Sequence, residues 1–168
     1  MQKLPKFFFT KFTNVEVLQL KNVTIDELSH SDFVDAKNLK TIRLLRTKIA
    51  KIHEKLFENS AKLSQFQLID SPVINIELNA FEKCRKLRSF SIENATKLKS
   101  NFFEKFFIEN FKSLETFKLI NVTGVSTIPE DIFEIHKKIQ CIAIQHVNLS
   151  DLWELHFTTS NFLSLDFS

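Results

Sequence analysis

The chain has 168 residues, 43% of them hydrophobic and 26% charged, with a formal charge of +3. That is the make-up of a core-forming chain of about one domain, and it excludes both a disordered tail and a membrane-embedded protein. A single Gly excludes the glycine-rich phosphate cradles of nucleotide-binding proteins, and the mild charge falls short of the concentrated basic field of a dedicated nucleic-acid binder.

Along the chain, the opening Met1 to Lys6 leads into Phe7, Phe8 and Phe9, an apolar run too short, and broken too soon by Lys11, for a signal peptide or membrane span. A repeat of 24 residues then sets in. Val15, Leu18, Leu20, Ile25, Leu28 and Phe33 are followed 24 places later by Leu39, Ile42, Leu44, Ile49, Ile52 and Phe57, and again by Leu63, Phe66, Leu68, Val73, Ile76 and Phe81. All of these positions are apolar, which a chain of this composition does not produce by accident. The frame continues through Leu87, Phe90 and Ile92, through Leu114, Phe117 and Leu119, through Ile139, Ile142 and Ile144, and ends at Phe162, Leu165 and Phe167. An aliphatic residue followed five later by Phe marks the same phase at Leu4/Phe9, Leu28/Phe33, Ile52/Phe57, Ile76/Phe81, Ile128/Phe133 and Leu152/Phe157. Only the stretch from Leu98 to Ile108, rich in Phe, blurs it.

Residues two apart, such as Leu18 and Leu20, point to one side of an extended segment, so each LxL reads as a short strand with one face in a core. No repeat can bury that face alone, so neighbours must cover it and the strands stack in parallel. The nineteen Phe, in a chain without Tyr, suit such a core because their rings carry no hydroxyl to satisfy, and one ring every 24 residues predicts a continuous spine. Pro5, Pro72 and Pro129 all avoid the strands.

This LxxLxL spacing with its LxxxxF segment resembles the leucine-rich repeat family, especially its 24-residue extracellular type found in Toll-like receptors and insect cell-surface proteins. The resemblance implies an α/β solenoid over residues 1–168, about six to seven repeats with a curved parallel sheet on the concave face and irregular or short helical segments on the convex face. A start within a repeat and an end within a strand are expected of a fragment without caps. One departure stands out. The family usually has Asn three residues after LxL, whereas this column reads Val23, Thr47, Ser71, Ala95, Val122 and Val147, four of which cannot hydrogen-bond. Packing or backbone partners must hold that turn.

In the family, ligands bind the concave sheet. Stacking places Val17, Thr41, Gln65, Ser89, Thr116 and Cys141 in one column, Gln19, Arg43, Gln67, Ser91, Lys118 and Ala143 in the next, and Lys21, Leu45, Ile69, Glu93, Ile120 and Gln145 in a third, with Ser164 and Asp166 extending the first two. Leu45, Ile69 and Ile120 beside Arg43, Arg46, Gln67, Lys118 and His146 form a mixed apolar and polar patch of the sort protein interfaces use. Four glycosylation sequons begin at Asn22, Asn94, Asn121 and Asn148, the first three on the turn leaving a strand. Lys37, Lys62, Arg85, Lys86, Lys112, Lys137 and Lys138 recur just before each strand as a basic ridge, which either keeps the solenoid soluble or contacts an acidic glycan. Cys84 and Cys141 lack the spacing of a metal or disulfide framework, the five His form no metal motif, and Cys141 with His146 lacks an orienting third group. The expectation is a non-enzymatic module without cofactor or metal, binding a protein ligand rather than nucleic acid or a small-molecule substrate. It belongs to a secreted or cell-surface receptor-like glycoprotein, with a cytoplasmic leucine-rich repeat adaptor or scaffold as the alternative.

Overall fold

A computed structural model describes residues 4–98, 111–123, 138–145 and 147, together with the backbone of 162–166. Its elements, in chain order, are α1 (Phe8–Lys11), β1 (Val17–Lys21), β2 (Glu27–Leu28), α2 (His30–Phe33), β3 (Thr41–Leu45), β4 (Lys51–Ile52), β5 (Gln65–Ile69), β6 (Asn75–Ile76), a 3-10 turn (Leu78–Phe81), β7 (Ser89–Glu93), β8 (Thr116–Ile120), β9 (Cys141–Gln145) and β10 (Phe162–Asp166). Strands β1, β3, β5, β7, β8, β9 and β10 form one parallel sheet in that order. Each is five residues long, and from β1 to β9 the neighbour is the same segment one repeat further on.

The register follows the sequence repeat. Leu18, Ile42, Phe66, Phe90, Phe117 and Ile142 align across the sheet, as do Leu20, Leu44, Leu68, Ile92, Leu119 and Ile144. From β3 onward these inward residues are almost wholly buried, and they join Ile25, Ile49 and Val73 and the residues of the opposite wall in one hydrophobic core.

The last strand departs from expectation. Leu163 pairs with Ile142, Leu165 with Ile144, Ser164 with Ala143 and Asp166 with Gln145. The repeat frame puts Leu165 opposite Ile142, and Ser164 and Asp166 in the first two columns, so the strand is shifted by two residues from that frame. A slide of two leaves every side chain on its own face of the sheet. Either Leu163 and Leu165 or Leu165 and Phe167 therefore satisfies the apolar alternation, and only pairing with β9 chooses between them.

The opposite wall combines short helical turns with a second sheet that the sequence pattern did not reveal. Strands β2, β4 and β6 are parallel two-residue segments, with Leu28 paired to Ile52 and Ile52 to Ile76. Alternation cannot announce so short a strand. The expected Phe spine runs behind it. Ring centroids are 5.3 Å apart for Phe9 and Phe33, 5.3 Å for Phe33 and Phe57, and 5.0 Å for Phe57 and Phe81. A second file of rings, Phe66, Phe90 and Phe117, stacks within the large sheet at 5.4 and 6.2 Å. Phe66 lies 4.9 Å from Phe81 and ties the two files together.

Where the repeat lengthens after Leu98, residues 99–110 lie outside the described part, as do the Ile128/Phe133 and Leu152/Phe157 pairs and Pro129. Phe111 re-enters the pattern three residues before Leu114, at the place where Ala36, Ser60 and Cys84 stand before Leu39, Leu63 and Leu87. All four are at most 1% exposed. Where those three turns use a small residue, this one accommodates a buried ring 6.1 Å from Phe81 and 6.4 Å from Phe90.

Candidate functional site

The outer face of the large sheet holds the columns expected of it. Lys21, Leu45, Ile69, Glu93, Ile120 and Gln145 align strand by strand, with Gln19, Arg43, Gln67, Ser91, Lys118 and Ala143 beside them. Neighbouring strands lie about 4.8 Å apart. Leu45 and Ile69 are therefore adjacent and half-buried, and together they form a small apolar spot. Glu93 separates them from Ile120, and its carboxylate accepts the Ser91 hydroxyl at 2.7 Å.

The polar neighbours are partly engaged with one another. Arg43 Nε donates to Gln67 Oε1 at 3.1 Å, and Thr41 Oγ1 to Gln65 Oε1 at 3.4 Å. Ser91, though on the outer face, is only 2% exposed, so the face dips between the longer side chains of Gln67 and Lys118. Arg46 stands off the sheet, exposed on the turn after β3. His146 lies outside the described residues.

That turn recurs after β1, β3, β5, β7 and β8. Asn22, Arg46, Asp70, Asn94 and Asn121 all adopt left-handed backbone, with φ of 56, 50, 52, 57 and 51°. Each donates its backbone N–H to the last residue of the next strand: Leu45, Ile69, Glu93, Ile120 and Gln145 respectively, at 2.8 to 3.0 Å. Asn and Asp tolerate this conformation better than other residues with a side chain, which gives three of the sequons a backbone reason to carry Asn there. The side chains also link up. Asn94 Nδ2 donates to Asp70 Oδ1 at 2.6 Å and Asn121 Nδ2 to Asn94 Oδ1 at 3.0 Å. Asn22, Asn94 and Asn121 are exposed, while Asn148 falls outside the described residues.

One residue further along, the column that departs from the usual Asn lies inside the turn. Thr47 and Ser71 are fully buried and share their hydroxyls at 2.9 Å. Ser71 Oγ also accepts the Thr47 N–H at 3.1 Å. The backbone serves the non-polar members: the Val23 carbonyl accepts from Lys48 N–H and the Ala95 carbonyl from Thr123 N–H. Backbone partners and packing thus replace the missing amides.

The opposite wall carries ion pairs of its own. Lys51 Nζ lies 2.6 Å from Glu77 Oε1, and this hydrogen bond holds the Glu77 carboxyl below its ordinary value against the opposing effect of partial burial. His53 Nε2 lies 2.9 Å from Glu27 Oε2. Cys84 is buried in the core, and desolvation pushes its thiol up to about 12, far from the range of a nucleophile. Among the described residues, no group of three His, Cys, Asp or Glu side chains is placed to hold a metal.

With this geometry in place, comparison with known proteins is specific about kinship. The sequence pattern of the BspA type leucine rich repeat region matches residues 2–134, in six copies. The chain belongs to this leucine-rich repeat family. No curated protein matches it. Among solved structures, this leucine-rich repeat chain is similar to TLR13 in its complex with ssRNA13, with a TM-score of 0.61 and 15% identity over 95% of this chain and 26% of that one. Toll in the Toll–Spatzle complex of Drosophila gives 0.49 and 11%, over 88% of this chain and 25% of that one. The TLR13 likeness is one of fold, and the chain spans about a quarter of the length of both neighbours.

Proposed function

We propose that the chain is a non-enzymatic recognition module that binds a protein ligand on the outer, concave face of its large sheet, within a secreted or cell-surface receptor-like protein. The observation that carries this reading is the register itself. It aligns Leu45 with Ile69 and flanks that apolar pair with Arg43 and Gln67, with Lys118 and Ile120 further along the same face. Protein interfaces combine an apolar centre with a polar, hydrogen-bonding surround in this way. The four titratable or nucleophilic groups with the most distinctive surroundings, Cys84, Glu77, Glu27 and His53, serve the core or the opposite wall, away from this face.

The export half of the reading rests on the sequons. Asn22 projects an exposed amide that bonds no other side chain among the described residues, so of the three described sequons it is the one best placed for a glycan. Asn94 and Asn121 are chained through their amides on adjacent repeats, and two bulky glycans there would crowd each other.

The test uses the chain expressed in an export-competent cell with a photoreactive residue at Ile69 or, as a control, at Glu58 on the opposite wall. Protein adducts concentrated at position 69, reduced by Arg43→Glu without a change in melting temperature, are expected. Equal labelling at both positions refutes binding by this face. A mass that does not fall on enzymatic removal of glycans refutes the glycoprotein assignment separately.

A further inference from the structure

The ridge of cations before each strand is more ordered than its sequence spacing shows. The backbone N–H of Lys40, Ser64, Arg88, Glu115 and Gln140 donates in turn to the carbonyl of Glu16, Lys40, Ser64, Arg88 and Glu115, so the residues leading into the strands are stacked turn upon turn. Counting back two residues puts Asn38, Lys62, Lys86, Ser113 and Lys138 in one column, and three residues puts Lys37, Ala61, Arg85 and Lys112 in the column beside it. Lys62 Nζ reaches Asn38 Oδ1 at 2.7 Å, which confirms that members of the first column touch across a repeat. At about 4.8 Å per strand, the five turns from Lys37 to Lys138 make a strip about 20 Å long.

Among the described residues the strip carries six exposed cations, Lys37, Lys62, Arg85, Lys86, Lys112 and Lys138, while Lys137 of the expected ridge lies outside them. None of them makes a salt bridge among the described residues. Among the described residues, the acids nearby are engaged by other groups. Glu16 pairs with Lys40, Glu115 with Arg88 and Glu82 with Lys83, and Asp35 accepts the Thr10 hydroxyl. Among the described residues no acid is paired with a cation of the strip, and a file of like charges raises the local concentration of a polyanion.

We infer that this strip is a binding surface for a linear sulfated polysaccharide. Its shape favours that partner. Anionic groups repeating along an extended chain meet cations repeating along the solenoid, and each added contact is intramolecular once the first is made. A single-stranded nucleic acid would call for rings on which bases stack, and among the described residues the exposed rings, Phe7 and Phe12, belong to the first turn, ahead of the strip. A membrane would call for apolar side chains projecting among the cations, and the neighbouring apolar residues Leu39, Leu63, Leu87, Leu114 and Ile139 are buried. The strip lies on the entry side of the strands, apart from the Leu45/Ile69 spot, so its test is independent of the protein-ligand reading.

The experiment is retention of the whole chain on immobilised heparin. Wild type is expected to stay bound at about 150 mM salt, where a charge effect spread over the whole molecule is largely screened, and to elute as salt rises. K62E/K86E/K138E is expected to pass through at that salt. K21E/K48E/K97E, which alters three exposed cations away from the strip and changes the formal charge equally, is expected to elute like wild type. K62Q/K86Q/K138Q should show an intermediate loss with an unchanged melting temperature, which keeps the test valid if the Glu variant misfolds. Failure of wild type to bind, equal losses in the two Glu variants, or displacement from heparin by single-stranded RNA or phosphatidylserine vesicles as effective as by free heparin would each overturn the inference.

Discussion

Phe57→Ala tests the stacking on which the architecture stands. Phe57 is completely buried and has ring neighbours on both sides along the spine, Phe33 edge-on at 5.3 Å and Phe81 tilted at 5.0 Å, with Phe66 of the sheet file at 6.1 Å. Removing the ring loses its transfer free energy and leaves a cavity walled by three other rings, which cannot collapse without disturbing both files. Substitutions of this kind cost about 3 to 5 kcal/mol. That is a large share of the roughly 5 to 15 kcal/mol by which domains are stable. For a chain of this size each kcal/mol shifts the melting temperature by about 2 to 4 °C, so a fall of about 10 °C is expected. The assay is thermal unfolding by circular dichroism alongside Phe7→Ala, whose ring is 69% exposed and whose loss should change stability by no more than about 0.5 kcal/mol. If the two variants melt together, the rings do not stack as described.

Two further outcomes follow from the buried turn and from the opposite wall. Ser71→Ala strands both the N–H and the hydroxyl of Thr47 without a partner and should cost about 1 to 3 kcal/mol in urea titration, more than Thr47→Val, which leaves the Ser71 oxygen bonded to the Thr47 N–H. Equal costs would argue against the bond to the backbone. Glu77, held below its ordinary value of 4.5 by Lys51, contributes stability that is present above the unfolded value and disappears as pH falls through the depressed folded value. The stability gap between wild type and Glu77→Gln should therefore be constant above about pH 5.5 and close in acid. A gap that widens on acidification would reverse the sign of this assignment.

Much of the site was legible because a solenoid turns sequence spacing into spatial adjacency. From β1 to β9, every expected column of the large sheet, including Arg43 with Gln67 and Leu45 with Ile69, appears in register. Even the longer interval between β7 and β8 leaves the strands aligned, because extra residues between strands do not disturb the pairing of the strands themselves. What could not be read were features carried by single residues or by backbone angles. The two-residue strands β2, β4 and β6 are too short to alternate. The left-handed turns at Asn22, Arg46, Asp70, Asn94 and Asn121 are signalled only by Asn or Asp at four of the five positions, a preference that fits exposed polar turns equally well.

The sequence by itself determined that the chain stacks, at what period, and which side chains face inward, because an amphipathic repeat can bury its apolar face only against a copy of itself. The tertiary structure alone decided what that periodicity leaves degenerate. It chose Leu163 and Leu165 over Leu165 and Phe167 for the last strand, since a slide of two preserves the pattern and only pairing with β9 distinguishes the registers. It also joined Thr47 to Ser71, Asn121 to Asn94 and Asn94 to Asp70 through hydrogen bonds whose direction and distance no spacing can state.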